Sequence, residues 1–472
     1  MLINFKSYHC GKFISSANKL IVTNKFTNKA YAETYLCNRE QVLQSIDFAH
    51  QLKSICKELS KLERKNALVF IAANLSKQKK HIAELISIES AKPIQLAQLE
   101  VERSITCFKI AASEVNLIPS EILDFKNLPN GTGKLGKVNY FPIGVIAGIS
   151  PFNFPLNLAV HKIAPAIATG CPIVLKPAST TPLASLALAK IIHQSNLPKG
   201  MIQVIPMDRH VGNLLVENEK VNLLSFTGSP EVGWEMKNKS GKKKVVLELG
   251  GNAATIISEH CNLETIIDKC VYGAFAYSGQ ICIHAQRFYV HAKHYKIFIN
   301  QMKVAATQLI KGDPLNPSTQ LSVMIDEANA IRAEKWTLEA LEQGAKLICG
   351  GKRQGSYFEP TILTNTNTKM LVNKEEVFAP IICIEQYSGS IDKAIKLAND
   401  TKFGLQCGVF TNNKVELNKC FEQLDVGGVI HNHVPTLRFD SMPYGGIKES
   451  GLGREGIKYA MMDMLEPKVL VY

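Results

Sequence analysis

The sequence predicts an α/β protein built on a parallel, doubly wound sheet, with a second α/β unit after it. Three observations carry that expectation. From Gly144 to Gly228, apolar runs of strand length (GVIAGIS, PIVLKP, MIQVIP, NLLSFTG) alternate with runs of helix length, joined by short connections. Such alternation gives parallel strands with helices on both faces. A second series (NAATIIS, RFYVHA, IICIEQY, GLQCGVFT) follows up to about Leu424, and 472 residues exceed what a single core organises.

In chain order, residues 1 to about 40 alternate in short runs and predict one or two hairpins. From Arg39 to Asn116 apolar residues recur at three- and four-residue spacing (Val42, Ile46; Leu68, Ile71; Leu85, Ile88), the period of amphipathic helices. Residues 117–142 turn irregular around Pro119, Pro129 and Asn130-Gly131, a hairpin signal that projects an arm from the helical block. The tail MLEPKVLVY reads as a last strand able to pair with that arm, in the same or a neighbouring subunit.

Ligands of a doubly wound sheet sit at the carboxyl ends of its strands. Polar segments stand there: SPFNFP, KPAS and TGSPEVG. Gly228-Ser229 opens a helix, with Gly233 five residues after Gly228, so backbone N–H groups and the helix dipole can face a phosphate. Further on, VVLELGG sets Glu248 among apolar residues before a glycine pair, and GQICIHAQR sets Cys282 just after a glycine turn. A thiol attacks electrophiles, and a carboxylate raised by apolar surroundings acts as a base. On these two residues alone, a buried strand end and a core cysteine are an equal alternative.

Composition bounds the function class. Hydrophobic residues make up 46% and charged residues 20%, with a mean hydropathy near zero. No leader-like apolar core stands at the N-terminus, and the most apolar stretch, Leu156 to Leu175, is broken by His161, Lys162 and two prolines, so no membrane span and a cytoplasmic location are expected. Twelve cysteines without a CxxC pair read as reduced thiols rather than a disulfide framework or a metal site. The net charge of +13 is spread along the chain without interleaved aromatics, which excludes a nucleic-acid partner and leaves attraction of small anions. His431-Asn432-His433 has the form of a metal-binding pair, but no third ligand accompanies it.

Seven motifs in order, PFNFPL (151–156), KPAS (176–179), FTGSPEVG (226–233), LELGG (247–251), GQICIHAQR (279–287), EEVFAPI (375–381) and PYGGIKESGLGREG (443–456), resemble those of the NAD(P)-dependent aldehyde dehydrogenase superfamily. Overall similarity is greatest to its lactaldehyde and glyceraldehyde dehydrogenase branch. The resemblance implies a Rossmann-like cofactor domain (1–116 and 143–250), a catalytic domain (251–437), and a β oligomerisation arm (117–142 and 457–472). It also implies a glycine-rich loop (438–456) returning to the cofactor domain, and a homodimer or homotetramer. It makes Cys282 the nucleophile on a small aldehyde, Asn153 an oxyanion donor and Glu248 the base that hydrolyses the thioester. It assigns Lys176 and Ser179 to the adenosine ribose of NAD or NADP, and places Gly228, Ser229 and Gly233 at or near the pyrophosphate. Glu376 falls to the nicotinamide ribose, with Phe378 beside it.

Two departures bear on specificity. Ser179 stands where NAD-preferring relatives often carry a glutamate, which leaves NADP admissible. Ile281 stands where relatives acting on phosphorylated or phosphonate aldehydes often carry an arginine, whereas Arg103 is retained. Together they point to a short neutral or hydroxylated aldehyde, with phosphonoacetaldehyde and succinic semialdehyde as alternatives. Acyl transfer to coenzyme A, a side activity as thiol esterase and a catalytically silent relative are the remaining readings; the retained Glu248 opposes the first.

Overall fold

The structure is a computed structural model that describes residues 2–472. Its centre is an eight-stranded sheet. Five strands run parallel in the order Lys244–Glu248, Val221–Thr227, Val145–Ile149, Ile173–Lys176 and Ile202–Val204. The chain starts from Val145–Ile149, builds outward on one side, then returns to add the other two strands on the opposite side. The crevice at such a reversal is where doubly wound sheets bind ligands. All of Val145–Ile149 is buried; Ile146 enters one core cluster and Val145, Ala147 and Ile149 another, because both faces are covered.

The N-terminal hairpin Ser7–His9/Lys12–Ile14 extends one edge of this sheet antiparallel, and a second hairpin, Lys19–Thr23/Ala30–Tyr35, makes a small sheet beside it. Four helices follow: Arg39–Glu58, Lys61–Lys77, Lys79–Ser90 and Ile94–Glu114. Reciprocal capping boxes, Asn38 with Gln41 and Ser60 with Glu63, start the first two.

A second sheet has seven strands, six of them parallel, with Ala254–Ile257 between Arg287–His291 and Gln406–Phe410. Sequence periodicity did not delineate residues 311–375, which supply the helix Glu327–Glu342 and the strands Lys346–Cys349 and Thr361–Thr364 on one side of this sheet. The glycine-rich segment 438–456 is ordered by pairing: Gly451–Leu452 forms an antiparallel edge on Lys244–Glu248, with Gly451 opposite Glu248. The tail strand Leu465–Val471 pairs within the chain, antiparallel to Leu135–Pro142, which also carries Ser120–Asp124. Val469, Leu470 and Val471 are all more than half exposed there. Among the described residues no helix is long and apolar enough to cross a membrane.

Candidate active site

Two cavities meet between the sheets, and the residues that line both include Cys282, Glu248, Thr227 and Leu249. Cys282 follows a turn in which Tyr277, Ser278 and Gly279 all have left-handed backbone, φ 51°, 53° and 68°. Gly279 has no alternative, since a Cβ would lie 2.1 Å from the Ala379 carbonyl oxygen. Gln280 is fully buried and locks the turn by accepting from the Ile325 N–H at 2.9 Å. From the other side the Asn153 amide donates to the Gln280 carbonyl at 3.0 Å, which uses one of its two N–H groups. Among the described residues the Cys282 N–H has no backbone partner.

The half-buried thiol of Cys282 lies 3.0 Å from the hydroxyl of Tyr444. Burial pushes this thiol up to about 11, against the opposing pull of Tyr444 and Arg438. Glu248 ends its strand 3% exposed; one carboxylate oxygen accepts from the Glu455 N–H at 3.3 Å and the other has no partner. Burial, and then the charge of Glu455, push Glu248 well above the ordinary carboxylate range. Glu455 is equally buried, yet Lys162 at 3.1 Å and Arg438 at 3.0 Å outweigh burial and hold it down. Two neighbouring carboxyl groups with divergent proton affinities separate a base from a counter-ion.

The larger cavity is a groove along the carboxyl ends of the first sheet, lined by Asn153, Lys176, Ser179, Gly228 and Ser229, and closed from the far side by Glu376 and Phe378. Lys176 is partly buried, which lowers its proton affinity, and it forms no ion pair among the described residues. Ser179 donates to the Met207 carbonyl at 3.3 Å. Glu376 accepts from the Gly251 N–H at 3.1 Å, and burial raises it to about 8. Phe378 has φ 43° and meets Phe152 edge to face at 5.8 Å. Gly233 stands beside the groove: its neighbours Val232 and Trp234 line it. It lies in the helix Pro230–Lys239 without lining the groove, and a Cβ there would come within 2.4 Å of Leu249 Cδ2, so it lets the helix pack on the strand.

A dinucleotide fits this groove on the structure's own terms. An uncompensated lysine, a helix start preceded by glycine and a carboxylate above a glycine pair are placed for phosphate and ribose oxygens. Asn329, Arg332 and Trp336 from the helix Glu327–Glu342 also line it; they escaped the sequence reading because no motif marks them.

The smaller cavity, on the other side of Cys282, is lined by Arg103 and Ile281. Ile281 is 8% exposed and packs with Tyr277, Ile283 and Leu405. Arg103 is engaged in a two-pronged pair with Asp440, at 2.6 and 3.1 Å. Sequence reasoning missed Arg438, which also lines this cavity, stacks on Tyr444 and, with its buried Nε 4.0 Å from Asp440 Oδ1, leaves that nitrogen without a hydrogen-bond partner among the described residues. Cys107, His161 and Asp440 lie close enough to offer three metal-ligand atoms, but two guanidinium groups stand against the cluster, which makes it an ion-pair node. His431 and His433 do not act as a pair. Asn432 between them is left-handed, His431 bonds the Thr411 carbonyl at 2.9 Å, and His433 lines the smaller cavity.

The family model described as "Aldehyde dehydrogenase family" matches residues 13–470. A 3-sulfolactaldehyde dehydrogenase of Priestia aryabhattai is 39% identical over 465 residues, spanning 98% of this chain and 97% of that protein. The crystal structure of aldehyde dehydrogenase 21 from Physcomitrella patens with the product succinate superposes with a TM-score of 0.98 at 41% identity, covering 100% of this chain and 98% of that one. The NADP complex of the glyceraldehyde-3-phosphate dehydrogenase GapN from Methanocaldococcus jannaschii gives a TM-score of 0.92 at 38% identity, covering 96% and 98%.

Proposed function

The chain belongs to the aldehyde dehydrogenase family and oxidises a small aldehyde with NAD or NADP; from that premise we propose that Cys282 is the nucleophile, Asn153 an oxyanion donor and Glu248 the deacylating base. The observation that carries this assignment is the position of Cys282 and Glu248 where the two cavities meet. The Cys282 thiolate attacks the aldehyde carbon, forming a C–S bond and placing a negative charge on the former carbonyl oxygen. The free N–H of Asn153 and the N–H of Cys282 receive that charge, and one such donor contributes about 3 kcal/mol. NAD(P) bound in the groove supplies the hydride acceptor. Loss of hydride restores the carbonyl as a thioester. Glu248 takes a proton from water, the water oxygen adds to the thioester, the C–S bond breaks, and the acid leaves. A carboxylate with raised proton affinity suits this work.

The cofactor is assigned to residues 1–116 and 143–250. Lys176 and Ser179 meet its adenosine ribose, Gly228 and Ser229 the pyrophosphate, with Gly233 acting through helix packing; Glu376 holds the nicotinamide ribose beside Phe378. Ser179 leaves room for the 2′-phosphate of NADP. Residues 251–437 carry the catalytic turn. The exposed Val469, Leu470 and Val471 make the arm (117–142 and 457–472) the contact of a homo-oligomer.

The substrate is a short hydroxylated aldehyde with an anionic far end. Ile281 offers no charge, but Arg103 and Arg438 line the cavity together, and Arg438 Nε, 4.0 Å from Asp440 Oδ1, has no hydrogen-bond partner among the described residues and is free to donate to an acceptor. The relatives named for 3-sulfolactaldehyde and crystallised with succinate agree with such a tail. Incubating the protein with short neutral and anionic aldehydes, each with NAD and with NADP, tests the assignment. Reduced cofactor and free acid are expected, fastest with an anionic hydroxyaldehyde; equal rates on neutral and anionic partners would remove the arginine argument.

A further inference from the structure

We propose that Tyr444 is a catalytic residue, donating its hydroxyl hydrogen to the Cys282 thiolate and holding the nucleophile in its reactive form. This rests on Cys282 being the nucleophile. Tyr444 Oη is the one hydrogen-bond partner of the Cys282 sulfur among the described residues, at 3.0 Å. The ring has no freedom to leave: Tyr444 is 2% exposed, and its backbone exchanges hydrogen bonds of 2.9 and 2.6 Å with Glu455. The guanidinium of Arg438 lies 3.7 Å from the ring centroid. A cation on a phenol face draws electron density from it and makes its O–H a stronger donor.

The need for such a donor follows from the rest of the site. A thiol must ionise to react, and every other influence near Cys282 except Arg438 opposes ionisation: the surroundings are desolvated, and Glu248 and Glu376 face it from the two flanking elements. Lys92, Arg103 and His433 line the same cavity but, among the described residues, none of them hydrogen-bonds the sulfur. When the S–H bond breaks, its proton leaves to water and the new lone pair accepts the Tyr444 O–H. Formation of the C–S bond withdraws that lone pair. When the thioester is hydrolysed and the C–S bond breaks, charge returns to sulfur and meets the same donor, so one hydroxyl serves both the attack and the departure of the thiolate.

Tyr444→Phe keeps the ring and its stacking on Arg438 while deleting the hydroxyl. The test is the rate of Cys282 alkylation by iodoacetamide across pH, read on the Cys282 peptide so that the other cysteines do not contribute. The apparent pKa of alkylation is expected to rise by about one unit and the rate at pH 7.5 to fall about tenfold. Replacement of Tyr444 by 3-fluorotyrosine, a more acidic phenol of nearly the same shape, moves the profile the other way. Superimposable profiles for all three proteins overturn the proposal. So does faster alkylation of Tyr444→Phe, which makes the thiol the donor and the tyrosine a brake. Neither readout requires turnover. Failure of Cys282 as the nucleophile is separately visible as aldehyde oxidation surviving Cys282→Ser.

Discussion

The two cavities that share Cys282 treat charge in opposite ways. Around the smaller one the ionic groups other than Glu248 are locked to one another: Lys92 with Glu100, Arg103 with Asp440, and Arg438 and Lys162 with Glu455. In the groove, among the described residues, Lys176 has no ionic partner and Glu376 holds only a backbone N–H. The cavity is preorganised, its charges fixed before a ligand arrives, which preserves donor positions during the reaction. The groove leaves its charges for a ligand to satisfy. Changes to the fixed charges around Cys282 are therefore expected to alter rate constants, and groove-side changes to alter cofactor affinity and choice; Arg103, which lines the cavity away from the groove, is expected to act through the KM of the aldehyde.

The largest effect belongs to the residue both cavities share. Cys282→Ser is expected to lower aldehyde oxidation more than about a thousandfold, while cofactor affinity, measured by fluorescence titration, stays within about twofold of wild type. A comparable loss of cofactor binding would mean the two cavities are one coupled site. Next comes Glu248→Gln. Removing a general base costs about a hundredfold or more, and because acylation does not need this base, rapid mixing should show a burst of one reduced cofactor per site before slow turnover. In the wild type the turnover limb rises with pH as Glu248 ionises, since its proton affinity is raised; the variant should lose that limb.

Groove-side changes test the other half. Ser179→Glu places a carboxylate where a 2′-phosphate would lie. It is expected to raise the KM for NADP by about tenfold or more through like-charge repulsion, with the KM for NAD changed much less. On the substrate side Arg103→Gln should raise the KM for anionic aldehydes about tenfold, the scale of one charge-assisted hydrogen bond, and leave neutral aldehydes unaffected. Equal losses on both substrate types would assign Arg103 to holding Asp440 alone.

How much of this was readable in the chain depends on where the information lies. Glu248 and Cys282 stand beside glycine turns, a local signal that left catalysis and a buried core equal until the motifs' resemblance added Asn153; the strand-to-helix alternation that places them is a local pattern too. Arg438 and Tyr444 matter because a segment near the C-terminus folds back on the strand ending at Glu248, with Gly451 opposite Glu248. No spacing within 438–456 announces that approach; only the motif's resemblance implied that the loop returns to the cofactor domain, and it named neither residue. Gly233 fits a phosphate-loop pattern but packs against Leu249, a distinction that depends on which way one helix rolls. The strands and helix of 311–375 escaped notice because their charged, interrupted pattern carries weak periodicity, even though Arg332 and Trp336 reach the groove.

The smallest expected effect concerns what the groove costs when nothing satisfies it. Glu376 is raised by burial to about 8, so between the ordinary carboxylate range and that value the folded protein holds a proton that the unfolded chain has released. Stability from this group is therefore present at low pH and lost as pH rises through the folded pKa. Glu248 titrates in the same sense, so the wild-type curve alone does not isolate Glu376. The difference between wild type and Glu376→Gln does: the variant should gain on wild type by roughly 1–2 °C in Tm between pH 6 and pH 8.5. Saturating cofactor should reduce that difference, because ribose hydroxyls would then donate to the carboxylate and favour its charged form. A difference unchanged by cofactor would place Glu376 outside the ligand's reach and make the groove as self-contained as the cavity beside it.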